Sequence, residues 1–150
     1  RRCVDDPDAL TGAAFEALAD HVEAGLAGLQ QLEGRHEIRS RHAELSVTLD
    51  LDSARIVGDI DHLSVLPDGY LVVDYKTSDL ESQSIAALTE HYLPQLLAYA
   101  GALARNDPDA ERFELALVFT DTGEIRKRPL SRSALDGLLA WADAHLAGSS

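Results

Sequence analysis

Three side chains near the middle of the chain could do chemistry together: Asp61, Asp74 and Lys76. They lie in Gly58 to Lys76, GDIDHLSVLPDGYLVVDYK, two apolar runs meeting at Pro67-Asp68-Gly69, which predicts two strands joined by a tight turn. Side chains alternate across a strand, so Asp74 and Lys76 share one face and Leu71, Val73 and Tyr75 the other. By the same rule Asp59 and Asp61 form a same-face pair on the incoming strand. So apolar a hairpin is buried, and carboxylates in such a place need a partner or a cation. Carboxylates beside a lysine are the set that hard-cation chemistry on phosphate requires. Their oxygens hold Mg2+ or Mn2+, the cation lowers the pKa of a water, and the lysine steadies the attacking hydroxide or the developing charge. The plain alternative is a salt bridge from Asp74 to Lys76, and a bare D-x-K tripeptide favours it because the pattern is common by chance.

The order of the surrounding pieces changes that balance. Glu44 opens one strand, G-x-I-D (Gly58, Ile60, Asp61) lies in the next, V-D-Y-K-T (Val73 to Thr77) in the third, and Q-L-L-A-Y (Gln95 to Tyr99) in a following helix. Over about Glu44 to Leu103 this resembles the RecB-type nuclease domain of the PD-(D/E)XK superfamily, the module fused to the C-terminal side of UvrD-like DNA helicases. The resemblance implies that Asp61 and Asp74 ligate Mg2+ or Mn2+ with help from the Tyr75 backbone carbonyl, and that Lys76 is the catalytic lysine. It also implies that Gln95 and Tyr99 shape the site and the DNA path. Glu44 is either a further site carboxylate or a strand-end surface residue. Asp59 is second choice to Asp61, because the G-x-I-D register assigns the ligand to Asp61. His62 points to the opposite face and reads as packing.

One part of the family pattern is missing, an upstream G-x-x-x-H whose histidine also reaches the metal. His21 has Ala17 where the glycine would stand and reads as a helix-surface or packing residue, and His36 and His42 read as exposed. The expectation is a single domain over residues 1–150, an N-terminally truncated fragment of a longer helicase-nuclease whose helicase portion would deliver DNA strands in repair or recombination. The competing reading is a nuclease-like module that has lost catalysis and binds DNA ends or a protein partner.

Bulk properties bound these readings. At 150 residues and 45% hydrophobic the chain can bury a core, and its single cysteine, Cys3, excludes an internal disulfide and suits a reducing, cytoplasmic setting. It also excludes a four-cysteine iron-sulfur cluster built from this chain alone. No apolar run reaches the length of a membrane span. Oligomeric state is not legible. The net charge of −13 runs against the usual sign for a DNA binder. A solubility adaptation to high salt, as in halophiles, would explain it, with charges screened over ~3 Å at 1 M salt; an acidic face for a basic partner is the alternative. Lysine occurs only at positions 76 and 127, so its presence in the motif is informative.

The elements that must position these residues follow from periodicity. Residues 1–11 read as an irregular lead-in. Phe15, Leu18, Val22, Leu26 and Leu29 make an amphipathic helix ending at Gly34, a left-handed cap position. RHEIRSRH, 35–42, is a polar approach that could touch phosphate or pair with acids. Glu44 to Leu51 alternates as a half-buried strand, and Ala54 to Leu66 is a long strand in which Gly58 would let a phosphate or the next helix come close. Tyr70 to Thr77 is the central strand, and a polar loop, SDLESQS, follows. A helix from about Ile85 to Arg105 stacks Gln95 and Tyr99 on one face, with a kink or restart at Pro94. Phe113 to Thr120 and Glu124 to Leu130 form a hairpin carrying Arg126, Lys127 and Arg128, a DNA contact or an edge guard. Ser131 caps a last helix to about Leu146. The order α-β-β-β-α-β-β-α makes a mixed α/β fold, a sheet of about five strands flanked by helices, which agrees with the restriction-endonuclease-like core that the resemblance implies.

Overall fold

The computed structural model describes residues 12–34, 36–52, 54–77 and 84–148. Cys3 and most of the SDLESQS loop lie outside them. The elements are α1 (Gly12–Glu33), β1 (Ser40–Asp50), β2 (Arg55–Leu66), β3 (Gly69–Lys76), α2 (Ile85–Asn106), β4 (Arg112–Phe119), β5 (Ile125–Ser131) and α3 (Arg132–Gly148), in the expected order. The five strands form one sheet in chain order, β1-β2-β3-β4-β5. All neighbours are antiparallel except β3 and β4, which are parallel because α2 carries the chain back across the sheet between them.

The hairpin β2–β3 is the centre of this arrangement. Leu66 pairs with Gly69, leaving Pro67 and Asp68 as a two-residue turn. Gly69 is required there by space: a Cβ on it would stand 1.7 Å from the Arg112 carbonyl oxygen where β4 enters beside β3. Leu63, Val72, Leu115, Leu117 and Phe119 turn to one face of the sheet, where they pack with Leu96, Tyr99 and Leu103 of α2 and Leu135 of α3. Leu71, Val73, Ala116 and Val118 turn to the other, against Leu32 of α1. The two faces of β3 are therefore both covered, which is why its central residues read as a nearly continuous apolar run.

Capping fixes where the helices begin. The Ser84 hydroxyl accepts the Ala87 N–H at 3.1 Å to start α2, and the Ser131 hydroxyl accepts the Ala134 N–H at 3.2 Å to start α3. Arg132 then reaches back to the C-terminal end of α2, with its guanidinium 3.0–3.2 Å from the carbonyl oxygens of Ala104, Asp107, Pro108 and Ala110.

Three local expectations are corrected. β1 begins at Ser40 rather than Glu44, because the polar residues 40–43 pair with β2 on the outer edge of the sheet, where solvent tolerates them. α2 runs through Pro94 without a restart. Gly34 follows α1 without adopting the left-handed cap: Gly123 is the only described glycine with positive φ.

Candidate active site

The β2–β3 ladder stops at the pair His62 and Val73. The next two residues in register, Asp61 and Asp74, face each other where the strands part. Asp61 Oδ2 accepts the backbone N–H of Tyr75 at 2.9 Å, so a side-chain carboxylate takes over the acceptor role that a strand carbonyl would have had. Asp74 is 3% exposed. Burial and the adjoining Asp61 carboxyl push its pKa up to about 6, although Lys76 pulls the other way. The Lys76 ammonium lies 2.8 Å from Asp74 Oδ2, 3.5 Å from Gln95 Oε1 and 4.2 Å from the centre of the Tyr92 ring. Its approach to Asp74 is close but poorly directed, and Oδ2 is left buried without a hydrogen-bond donor.

Two carboxylates side by side, one oxygen lacking a donor, make a set that fits a hard cation. Mg2+ is commonly held by one or two carboxylates with water completing its shell. Among the described residues no group of three or more His, Cys, Asp and Glu side chains is placed to hold a metal, so Asp61 and Asp74 would be the side-chain contribution.

α2 closes the site from above. Tyr99 is buried, and its phenol is held above the usual range by burial and by the charges of Asp74, Asp61 and Asp59, against a backbone hydrogen bond from Asp59 that works the other way. Its ring packs on Gly58, where an added Cβ would stand 2.7 Å from the ring edge and 3.0 Å from the hydroxyl oxygen. Gly58 thus admits α2, not an open channel. Tyr92, Gln95 and Tyr99 stand at i, i+3 and i+7 on one helix face. Sequence periodicity puts Tyr92 on that stripe but gives no sign that it would cover the lysine.

A family model of the PD-(D/E)XK nuclease superfamily matches residues 2–149. The chain belongs to this superfamily. Its fold is similar to that of a proposed exonuclease from Eubacterium rectale, at 17% identity and a TM-score of 0.51, covering 93% of this chain and 56% of the other. It therefore spans little more than half the length of that relative. Protein VC1899 from Vibrio cholerae is a more distant likeness, at 12% identity and a TM-score of 0.39, covering 88% of this chain and 36% of the other. No curated protein matches.

Around Asp61 and Asp74 the structure separates residues that strand alternation groups together. Ile60 and Leu63 pack in the same core cluster although they are three apart, so the alternation of β2 is broken between them. Glu44, opposite Asp61 between the flanking pairs Ala43 with His62 and Leu45 with Ile60, has φ of 54°, left-handed backbone in the partner strand. The consequence corrects the expected pairing of Asp59 with Asp61. Asp59 stays exposed and accepts the Ser46 hydroxyl at 2.7 Å, while Asp61 turns to Asp74 and Tyr75. Glu44 is exposed beside this kink, opposite Asp61 in register.

Among the histidines, His42 is exposed as expected, but His36 is not. Its Nε2 lies 2.7 Å from Glu114, with a side chain 13% exposed. His62 is buried in a polar cluster with Ser64 and Glu33 on the α1 face. Burial raises the Glu33 pKa, but hydrogen bonds from Ser64, Arg41 and His62 outweigh it and hold the carboxyl below its usual value. His21 lies on α1 and its Nδ1 is 2.9 Å from the Thr120 hydroxyl, whose own backbone N–H donates to the Lys76 carbonyl at 2.9 Å.

Proposed function

We propose that this chain is a divalent-metal-dependent deoxyribonuclease domain, RecB-like, in which Asp61, Asp74 and Lys76 carry phosphodiester hydrolysis. The observation that supports it best is their convergence where β2 and β3 part, with a buried Asp74 oxygen that is ion-paired to the Lys76 ammonium at 2.8 Å and takes no well-directed hydrogen bond. A Mg2+ or Mn2+ ion held by Asp61, Asp74 and the Tyr75 carbonyl would supply positive charge at the phosphoryl oxygens and acidify a water. Asp74 is ionised once the pH passes about 6, which readies the pair for a cation at neutral pH. Lys76 lies against Asp74, Gln95 and the Tyr92 face, which keeps its ammonium beside the incoming water and the charge that develops on phosphate. Tyr99 and α2 exclude bulk solvent from one side, which strengthens each of these interactions. The single strands cut would be delivered by a helicase portion of the same parent chain in repair or recombination, with residues 1–150 as the nuclease unit. The acidic composition supports operation at high salt.

A second reading is an inactive module that binds DNA ends or a protein, and the lack of a third side-chain ligand among the described residues is what favours it. Calorimetry with Mn2+ or Mg2+ on the wild type and Asp74→Ala, with cleavage of single-stranded DNA assayed on the same samples at high KCl, separates the two. Binding and cleavage that both vanish in the variant support the nuclease. Binding of DNA without metal uptake by the wild type overturns it.

A further inference from the structure

Resting on the nuclease reading, we infer that Arg126 and Arg128, on the free edge strand β5, hold the sugar-phosphate backbone of the substrate strand as it runs away from the Asp74–Lys76 site. Register carries the argument. Asp74 pairs with Leu117 and Leu117 with Arg126, so the three stand in one row across β3, β4 and β5. Val72, Leu115 and Arg128 form the row beside it. Directly paired residues project from the same face of a sheet, so both arginines are on the face that carries Asp74. With strands ~4.8 Å apart, the Arg126 backbone lies about 10 Å from that of Asp74; Leu117, between them, is buried beneath α2, so the substrate strand passes around the end of β4 to reach β5.

The neighbouring lysine sharpens the assignment. Lys127 points to the opposite face, where it stands 3.6 Å from the buried Glu114 beside His36 and so already has a structural partner. Arg126 is exposed, with Glu124 of the adjoining turn at 2.9 Å and the Ile125 carbonyl oxygen at 3.2 Å as its partners, and Arg128 is exposed with no ion pair to a described residue. In a chain of net charge −13, two outward arginines in register with the candidate site are a local exception that matches a polyanion. Among the described residues β5 ends the sheet, and no strand there stands beyond them. A guanidinium donates to phosphate oxygens in a forked pair of hydrogen bonds, and two arginines two residues apart on one strand face suit successive phosphates.

The test compares wild type, Arg126→Ala/Arg128→Ala and the control Lys127→Ala on two substrates with Mn2+. One is a single-stranded oligonucleotide of about a dozen nucleotides, long enough to reach β5. The other is bis(p-nitrophenyl) phosphate, which occupies the site alone. The expected result is a KM for the oligonucleotide raised about tenfold in the double variant, with kcat and the small-diester kinetics unchanged. The salt slope of oligonucleotide binding should fall by about 1.4, at ~0.7 for each phosphate that the variant no longer neutralises. Lys127→Ala should match wild type. Oligonucleotide KM and salt slope unchanged in the double variant, while wild type cleaves both substrates, would overturn this inference and leave the nuclease reading standing. Equal losses on both substrates would also overturn it, since a general structural effect would be the cause. A wild type that cleaves neither substrate overturns the nuclease reading and this inference together.

Discussion

Gly58→Ala tests how tightly α2 is set against the site. A Cβ at this position would stand 2.7 Å from the Tyr99 ring, whereas carbon atoms that touch rest at about 3.5–4.0 Å. The ring would have to retreat by about 1 Å from a place where it is buried among Ile60, Leu96 and Phe119. Overpacking of this kind costs about 1–3 kcal/mol, which for a domain of this size lowers Tm by roughly 2–12 °C. Gly58 does not have positive φ, so without the ring alanine would be tolerated and would stabilise by about 0.4–1 kcal/mol through the unfolded chain. The sign of the change therefore decides the matter. Urea and thermal unfolding of wild type, Gly58→Ala, Tyr99→Leu and the double variant measure it. The alanine penalty should disappear in the Tyr99→Leu background. An equal penalty in both backgrounds, or a stabilised single variant, would refute the claim that Gly58 exists to seat Tyr99.

Other outcomes follow from the same geometry. The Asp74 carboxyl is raised above its unfolded value, so its share of stability is full below about pH 4 and is lost as the pH rises through about 6. Asp74→Asn removes that falling segment, and the stability difference between variant and wild type should grow in the variant's favour from pH 4 to 6 and then level; a flat difference would contradict it. Asp61→Ala strips the acceptor from the Tyr75 N–H and should cost about 1–3 kcal/mol, whereas Asp61→Asn keeps an oxygen there and should cost less than half as much, read from denaturant midpoints. Gly69→Ala drives a methyl into the Arg112 backbone and should prevent soluble expression, while Gly123→Ala, with open space around it, should lose no more than the strain of its positive φ.

Much of the fold was legible because it is local. The turn at Pro67-Asp68, the alternation of β3 and the helical stripe of Tyr92, Gln95 and Tyr99 are each encoded within a few residues, and the motif order sets them in sequence. What was not legible depends on partners far away in the chain. His36 looks like a loop histidine until Glu114, 78 residues on, meets it. Asp59 and Asp61 look like a pair until the left-handed backbone at Glu44, in the facing strand, breaks their alternation. Lys127 looks like the centre of a basic cluster, yet register sends it to the face away from its neighbours.

The Arg132 guanidinium, set among the carbonyls of Ala104, Asp107, Pro108 and Ala110, has a consequence for how the molecule opens. These oxygens mark the end of α2 and the turn into β4, and the side chain that satisfies them belongs to the first residue of α3. Neither helix end can fray alone, because release of one strands the polar groups of the other. The amide protons of 101–107 and 132–136 should therefore exchange as one cooperative unit, and a chain cut after β5 would lose the lower half of α2 as well as α3.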